Sequence, residues 1–194
     1  MTIPSSISAL PGGMLHFISD RDHRLMRRVH RWRAPRWARV AMICATRGGD
    51  GWLWYGLGFL LLVFGDSLRF SAICAAGMAS GTGLGIYLVV KKATGRKRPC
   101  AIEPHCWARI LPPDQYSFPS GHTITAFSVA TAVCLFYPAL TAALFACALM
   151  IAISRIVLGM HFLSDVLAGA LIGAPGGGKL APSTRRRGPI ASPP

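Results

Sequence analysis

Apolar residues along this chain are grouped into five runs separated by short polar segments. The runs cover residues 51–65, 70–90, 123–137, 139–153 and 162–174. The second run is long enough to cross a bilayer as a helix, and the others reach spanning length if their helices extend into the flanking polar segments. Few charged residues interrupt the runs, which argues against the core of a soluble helical protein. The pattern predicts an all-α integral membrane bundle of about five transmembrane helices.

The segments that join the runs add detail to this bundle. Gly65–Arg69 is short enough only for a tight connection, so the first two spans are expected to form an antiparallel hairpin. The second span repeats glycine at intervals of four, and the last span does the same. Small residues at this spacing let membrane helices approach closely, so both faces are predicted to be packing seams. The glycines concerned are Gly77, Gly81, Gly85, Gly169 and Gly173.

Basic residues dominate the segment before the first run. Nine arginines between Arg21 and Arg47 alternate with apolar residues and tryptophans at near-helical spacing. This predicts interfacial helices over residues 15–49, broken at Pro35 and lying on anionic lipid headgroups. A basic segment can also bind nucleic acid, but the tryptophans and the adjoining apolar runs favour a membrane surface. No nucleic-acid partner is therefore predicted.

Composition agrees with a single membrane domain. The chain has 194 residues, of which 52% are hydrophobic and only 14% are charged. The membrane domain is expected over residues 50–178. Residues 1–14 are small and polar, and residues 179–194 are basic and rich in proline, so both ends are predicted to be disordered. The last run is expected to break at Pro175, which makes the fifth span short.

Three polar residues, Arg155, His161 and Asp165, lie between the fourth and fifth runs. If the segment from His161 is helical, His161 and Asp165 lie one turn apart, and the carboxylate can accept a hydrogen bond from one ring nitrogen. The other nitrogen is then free to attack a phosphoryl group whose charge Arg155 neutralises. A histidine and an aspartate at this spacing are more often a surface pair or a buried structural pair, so this cluster alone does not define a site.

Two further polar clusters flank the second and third runs. Lys91–Pro99 contains five basic residues, which alone would be an ordinary juxtamembrane cluster. Phe118–Thr123 opens the third run with Ser120, Gly121 and His122, and the N–H groups of a helix start can bind phosphate, although such a start is also a common cap. Counting spans places all three clusters on the same side of the membrane. Their joint presence indicates a phosphate site.

Together the clusters resemble, in order and spacing, the three signature motifs of the type 2 phosphatidic acid phosphatase superfamily. The matching segments are Lys91-x6-Arg98-Pro99, Pro119-Ser120-Gly121-His122 and Ser154-Arg155-x5-His161-x3-Asp165. That superfamily includes bacterial lipid phosphate phosphatases, undecaprenyl-diphosphate phosphatases, glucose-6-phosphatase and soluble vanadium haloperoxidases. The resemblance covers residues 91–165 directly and, with the helix pattern, about 50–174.

The resemblance implies a hydrolase that needs no metal and no cofactor. His161 would attack phosphorus to give a phosphohistidine, with Asp165 orienting the ring. His122 would protonate the leaving oxygen and later activate water. The groups that would bind the phosphoryl oxygens are Lys91, Arg98, Ser120, the backbone N–H of Gly121, and Arg155.

The membrane character favours a lipid phosphate as substrate over the soluble haloperoxidase branch. Phosphatidate, phosphatidylglycerophosphate and undecaprenyl diphosphate all fit, and the residues do not distinguish among them. Two alternatives remain open at this point. The chain could be a membrane scaffold that binds a phosphorylated ligand without turnover, or a phosphatase of a small soluble phosphate ester. The sequence does not indicate an oligomeric state.

Two lines of reasoning disagree on the orientation of the site. Sixteen of the 21 lysines and arginines fall on the motif side, which the positive-inside rule places in the cytoplasm. The resemblance instead favours a bacterial inner-membrane protein whose site faces the periplasm. Cys100 and Cys106 lie on the same side and would form a disulfide only if that side is oxidising.

Overall fold

The computed structural model describes residues 12–32, 34–102 and 114–178, which are helical apart from short connections. A single antiparallel bridge joins Lys97 to Tyr116, and the described residues contain no strand, so the all-α prediction is confirmed. The described residues form eight α-helices, α1 Gly12–Arg31, α2 Arg36–Arg47, α3 Leu53–Phe64, α4 Arg69–Thr94, α5 Pro99–Ile102, α6 Gly121–Cys134, α7 Thr141–Val157 and α8 Leu163–Gly178.

Two helical stretches in the described part of the chain are long and apolar enough to cross a membrane. They are Arg69–Thr94 and Pro138–Val157, the second formed by a 3₁₀ turn that continues into α7. Gly121–Cys134 and Leu163–Pro175 are apolar but shorter. Helix length thus supports two spans, and the count of about five stays a prediction.

Helix α6 lies at the centre of the fold and packs against α4, α7 and α8. Its interior positions are small, with Ala126, Ala130 and Ala132 buried, which lets neighbouring helices approach closely. Larger apolar side chains, among them Leu61 and Ile151, fill the space between α3, α6 and α7. The start of α6 is therefore fixed by three neighbouring helices, and the predicted second motif lies at that start.

The contact between α6 and α8 depends on two of the predicted glycines. A Cβ atom on Gly169 would lie 2.8 Å from the backbone oxygen of Ser120, and one on Gly173 would lie 2.5 Å from that of Ile124. Neither position has room for a larger residue. The packing seam predicted for the last span is confirmed.

The seam predicted for the second span is wrong. Gly77, Gly81 and Gly85 are exposed, and a Cβ atom on any of them would have no atom within 4 Å in the described part of the chain. Helix α4 packs instead through a neighbouring stripe of small residues, because its alanines give a second face on which helices can approach closely. The buried small residues of that stripe are Ala72, Ala75, Ala79 and Gly83.

The end of the last helix differs from expectation. Helix α8 continues through Pro175 to Gly178, so the predicted break at Pro175 is wrong. Proline inside a helix removes one backbone hydrogen bond, and only the three glycines 176–178 follow Pro175 in α8. At the other end, α2 meets α3 in a kinked turn, Gly48–Trp52, where Gly51 has a φ of 124° that favours glycine. This kink brings Asp50 near the start of α6.

Helices α1 and α2 form the N-terminal arm, with α2 beginning directly after Pro35. The arm contacts α7 and α8, the two helices on either side of the third motif. The proposed domain limits and the interfacial location of the arm stay predictions. Of the residues expected to be disordered, 12–14 belong to helix α1, while 1–11 and 179–194 lie outside the described residues.

Candidate active site

The three polar clusters, distant in sequence, meet at one end of the helices. Arg98 from the first cluster lies 3.1 Å from His161 of the third, measured from Nη1 to Nε2. The N–H of Ser120, from the second cluster, donates to the backbone oxygen of Asp165 at 3.1 Å. Direct hydrogen bonds thus join the first and the second predicted motifs to the third.

His161 occupies the turn between α7 and α8 and is only 2% exposed. Its Nδ1 lies 2.5 Å from the backbone oxygen of Ser117 and 3.7 Å from Oδ2 of Asp165. Because a carbonyl only accepts, Nδ1 must carry a proton, so Nε2 carries the lone pair of the ring, and this lone pair accepts from Nη1 of Arg98. The predicted hydrogen bond to Asp165 is replaced by one to Ser117, because α8 begins at Leu163 and His161 precedes it.

The surroundings of His161 favour its neutral form. Burial lowers the pKa of His161 to about 4; Asp165 opposes this shift, and the guanidinium groups of Arg155 and Arg98 add to it. A neutral imidazole is the form that can act as a nucleophile at neutral pH.

Asp165 is fully buried and accepts hydrogen bonds at both carboxylate oxygens. Oδ2 accepts from the N–H of Phe162 at 2.8 Å, as a capping side chain does near the start of a helix. Oδ1 accepts from Nη1 of Arg96 at 2.7 Å. Asp165 therefore fixes the turn that contains His161, and a basic residue outside the predicted motif positions fixes Asp165.

Arg155 is buried on α7 beside the arm. One of its terminal nitrogens donates to the hydroxyl of Thr46 on α2. Its Nε is buried without a hydrogen-bond partner among the described residues. A buried donor without a partner is costly unless a bound group satisfies it, so this atom is available to an anionic ligand.

His122 lies on the first turn of α6 and is paired with an acidic residue that belongs to none of the three motifs. Its Nε2 lies 2.7 Å from Oδ1 of Asp50, and Asp50 also lies 3.6 Å from Arg47. A carboxylate held against an imidazole orients the ring and fixes which ring nitrogen faces the carboxylate. No local motif identifies Asp50, because it is brought to His122 by the kink at Gly51.

Lys91 and Arg98 are both buried, and both contact the carboxylate of Asp114. Arg98 donates from Nη2 to Oδ1 at 3.0 Å and from Nε to the backbone oxygen of Asp114 at 2.9 Å. Although burial opposes it, the hydrogen bonds from Lys91 and Arg98 lower the pKa of Asp114. Sequence reasoning missed Asp114. Its carboxylate forms ion pairs with both of the cations predicted to bind phosphate.

Ser120 and Gly121 lie where α6 begins. Ser120 is buried, and its hydroxyl accepts from that of Thr123 at 2.9 Å. A Cβ atom on Gly121 would lie 3.1 Å from the ring of Tyr87, so the site leaves little room for a side chain there. The two residues are close to the other motif residues, and their role in binding phosphate stays a prediction.

The other predicted features of this side of the chain concern metal and cysteine. Within residues 12–32, 34–102 and 114–178, no group of three or more His, Cys, Asp or Glu side chains is close enough to bind one metal ion. Cys100 is half-buried near the site. Its predicted partner, Cys106, lies outside the described residues.

Comparison with known proteins agrees with the motifs. Residues 70–178 match the sequence profile of the PAP2 superfamily, which confirms the predicted resemblance. A lipid A 1-phosphatase from Rhizobium johnstonii is 34% identical over 90 residues, which are 44% of this chain and 37% of that protein. One from Rhizobium etli is 34% identical over 89 residues, covering 44% and 38%. The matched segment spans less than two fifths of the length of these curated relatives.

Two solved structures share the fold. The crystal structure of Aquifex aeolicus LpxE has a TM-score of 0.67 and 28% identity, and the match covers 81% of this chain and 92% of that one. The structure described as the first transmembrane PAP2 type phosphatidylglycerolphosphate phosphatase, from Bacillus subtilis, has a TM-score of 0.67 at 22% identity, with 84% of each chain covered. The second likeness is one of fold alone.

Proposed function

Because this chain belongs to the PAP2 superfamily, we propose that it is a membrane lipid phosphatase that acts through a phosphohistidine on His161. The observation that carries the proposal is the environment of the Nε2 atom. This atom carries the lone pair of the ring, because Nδ1 faces the carbonyl of Ser117, and it accepts from Arg98 at 3.1 Å, a hydrogen bond that the phosphoryl group must take over when it binds. A neutral nucleophile beside a buried guanidinium is suited to attack on an anionic phosphoryl group.

In the proposed first step, Nε2 of His161 forms a bond to phosphorus, and the bond from phosphorus to the lipid oxygen breaks. His122, oriented by Asp50, gives its proton to the departing oxygen. The negative charge on the phosphoryl oxygens is stabilised by Lys91, Arg98 and the free Nε of Arg155. For Lys91 and Arg98 to do this, the phosphoryl oxygens must take over contacts now made by Asp114.

In the proposed second step, water hydrolyses the phosphohistidine. His122, having lost its proton, takes one from the water as the water oxygen bonds to phosphorus. The nitrogen–phosphorus bond then breaks, inorganic phosphate leaves and His161 is neutral again. Each group ends in its starting protonation state, so the cycle requires no metal and no cofactor as a reactant.

A cavity beside the site supports a lipid as the substrate. It has a volume of about 520 Å³, lies between α3, α4 and α6, and is lined mainly by apolar side chains. Gly51 and Thr125 line the cavity, and these residues adjoin Asp50 and follow His122 by one helical turn. Its other end reaches Val133. An apolar cavity that starts next to the catalytic groups suits the hydrocarbon of a lipid phosphate better than a small soluble ester.

We further propose that α3, α4, α6, α7 and α8 span a bacterial inner membrane, with the site facing the periplasm. Large apolar side chains on α3 and α4, including Phe59, Phe64 and Val89, are exposed, as expected of surfaces in contact with lipid. The arginines of α1 and α2 would then bind anionic headgroups beside the site.

Phosphate release by the detergent-purified protein tests the proposal. The substrates are lipid A, phosphatidylglycerophosphate, phosphatidate and undecaprenyl diphosphate, with p-nitrophenyl phosphate as the small ester and a chelator throughout. We expect release from at least one lipid and none by His161→Ala with an unchanged elution profile. Release that survives in His161→Ala contradicts the mechanism, and faster release from the small ester than from every lipid contradicts the lipid substrate. Binding without turnover would instead identify a scaffold.

A further inference from the structure

A residue of the N-terminal arm, outside all three motifs, lies beside the turn that contains His161. Asp22 on α1 is only 5% exposed. Its Oδ1 accepts from the N–H of Ser164 at 3.1 Å, and its Oδ2 accepts from Nη2 of Arg96 at 2.7 Å and from the hydroxyl of Ser164. A buried carboxylate with this many partners is held in one orientation.

Arg96 connects Asp22 to Asp165. While Nη2 donates to Asp22, Nη1 donates to Oδ1 of Asp165 at 2.7 Å and to the hydroxyl of Ser164 at 2.7 Å. The guanidinium also lies 4.2 Å from the centre of the Phe162 ring, the residue that follows His161. Arginine can bridge two carboxylates in this way because its donors form a rigid, planar fork.

The arm also contacts the Phe162 ring. His23 of α1 packs edge-on against Phe162, with ring centres 5.0 Å apart. Phe162 is buried, and its N–H donates to Asp165. The segment from His161 to Asp165 is therefore fixed by α1 through two adjacent residues, Asp22 and His23.

We propose that Asp22 and Arg96 are positioning residues for the nucleophile, so that the N-terminal helix α1 completes the active site. This inference rests on the proposed function, because it requires His161 to be the attacking group. As the phosphohistidine forms, the imidazole gains positive charge, and the Asp165 carboxylate 3.7 Å away stabilises that charge. Arg96 fixes this carboxylate, and Asp22 fixes and neutralises Arg96.

Loss of the Asp22–Arg96 pair is expected to lower kcat and to leave KM nearly unchanged. Lys91, Arg98 and Arg155, the groups proposed to bind the phosphoryl oxygens, make no hydrogen bond to Asp22 within the described residues. Loss of the Asp22–Arg96 pair leaves these cations in place but lets Asp165 move relative to His161. Small misplacements of reacting groups can cost up to about a hundredfold in rate.

The test measures phosphate release from dioctanoyl phosphatidate by variants of the full chain. Asp22→Asn keeps the size of the side chain but removes its charge, and we expect kcat to fall about tenfold with KM changed by less than about twofold. Asp22→Glu restores the charge and is expected to recover part of the loss. The matched control is Asp20→Asn, two residues away on the exposed face of α1, which should retain wild-type kcat.

Arg96→Lys tests the other partner. Lysine keeps the positive charge but cannot bridge two carboxylates with a planar fork, so we expect a similar loss in kcat. The double variant with Asp22→Asn should lose no more than Arg96→Lys alone, since both changes break one unit. Lys97→Arg, at an exposed neighbouring position, is the control.

The outcomes separate this inference from the proposed function. Folded Asp22→Asn and Arg96→Lys with kcat within about twofold of wild type, while His161→Ala is inactive, would overturn the inference alone. Additive losses in the double variant, or losses confined to KM, would also overturn it. A wild-type protein that hydrolyses none of the lipids would overturn both proposals. If Asp22→Asn does not fold, Arg96→Lys decides the question by the same criteria.

Discussion

The nucleophile proposed here differs from an ordinary histidine in its proton affinity. Burial lowers the pKa of His161 to about 4, so the free protein keeps this ring neutral as the pH falls from 7 to about 5. We expect kcat/KM, corrected for ionisation of the substrate, to have no acid limb from His161 in that interval. Below about pH 4 it should fall roughly tenfold for each pH unit, because the protonated ring cannot attack.

The measurement is a pH profile of kcat/KM with phosphatidate, together with the ionisation of the substrate followed by ³¹P NMR. The amount of phosphohistidine, trapped by rapid quenching, identifies the affected step. An acid limb centred near pH 6.5, the pKa of an unperturbed histidine, would contradict the burial argument.

At the residue scale, the motif side chains could be read from the sequence, but most of their partners could not. Arg98 contacts His161, and Lys91 and Arg98 share Asp114, while the roles of the motif residues stay predictions. The acceptor for Nδ1 of His161 is the backbone oxygen of Ser117. Every residue has a backbone oxygen, so residue types could not indicate this partner. Asp50 approaches His122 only because a kink in a distant segment places it there.

At the scale of helices, the contact between α6 and α8 can be tested with a matched pair of glycines. Gly173→Ala places a methyl group against the backbone of Ile124, while Gly81→Ala on α4 meets open space. We expect Gly173→Ala to destabilise the protein by about 1–3 kcal/mol because the helices must separate. Gly81→Ala should be neutral or stabilising, since alanine is a better helix former by up to about 1 kcal/mol.

Thermal unfolding in detergent, followed by circular dichroism, measures both variants. Equal melting temperatures for Gly173→Ala and wild type would mean that α6 and α8 do not pack as closely as described. A large loss in Gly81→Ala would instead indicate that the exposed glycine face of α4 is covered in solution.

The apolar runs predicted where helices form, but not which faces they bury. The run at residues 70–90 became Arg69–Thr94, and the run at 162–174 became Leu163–Gly178. On α4, however, two stripes of small residues have the same helical spacing, and only one packs. Spacing is a property of one helix, whereas burial depends on where its neighbours lie, so the sequence could not separate the two stripes.

At the scale of the whole molecule, part of the basic excess on the motif side is paired with acidic residues inside the fold. Lys91, Arg96 and Arg98 were counted among the positive charges of the motif side. All three form ion pairs, with Asp114, or with Asp22 and Asp165 in the case of Arg96. These pairs do not remove the conflict over orientation, because the positive-inside rule counts lysines and arginines and gives little weight to acidic residues. The other basic residues on the motif side are mainly the exposed arginines of the arm.

Labelling of single cysteines measures the orientation directly. In a chain freed of its native cysteines, Gln115→Cys places a thiol on an exposed position beside the site, and Ser67→Cys places one in the α3–α4 connection. Helix α4 separates these positions, so they are expected on opposite sides of the membrane. With a site that faces the periplasm, a maleimide that cannot cross the inner membrane should label Gln115→Cys in intact cells of a Gram-negative host. It should label Ser67→Cys only after lysis.

The reverse pattern would place the site in the cytoplasm, as the arginines of the arm would favour under the positive-inside rule. Labelling of both positions in intact cells would contradict a span between them and with it the helix count proposed here. Phosphate release by each variant must be retained for the comparison to hold, since a misfolded chain exposes both thiols. Asp22 of α1 contacts Ser164 and Arg96 beside the turn that contains His161, so the arm is expected on the same side of the membrane as Gln115. The side on which Gln115→Cys is labelled is therefore also the side expected for the arginines of the arm.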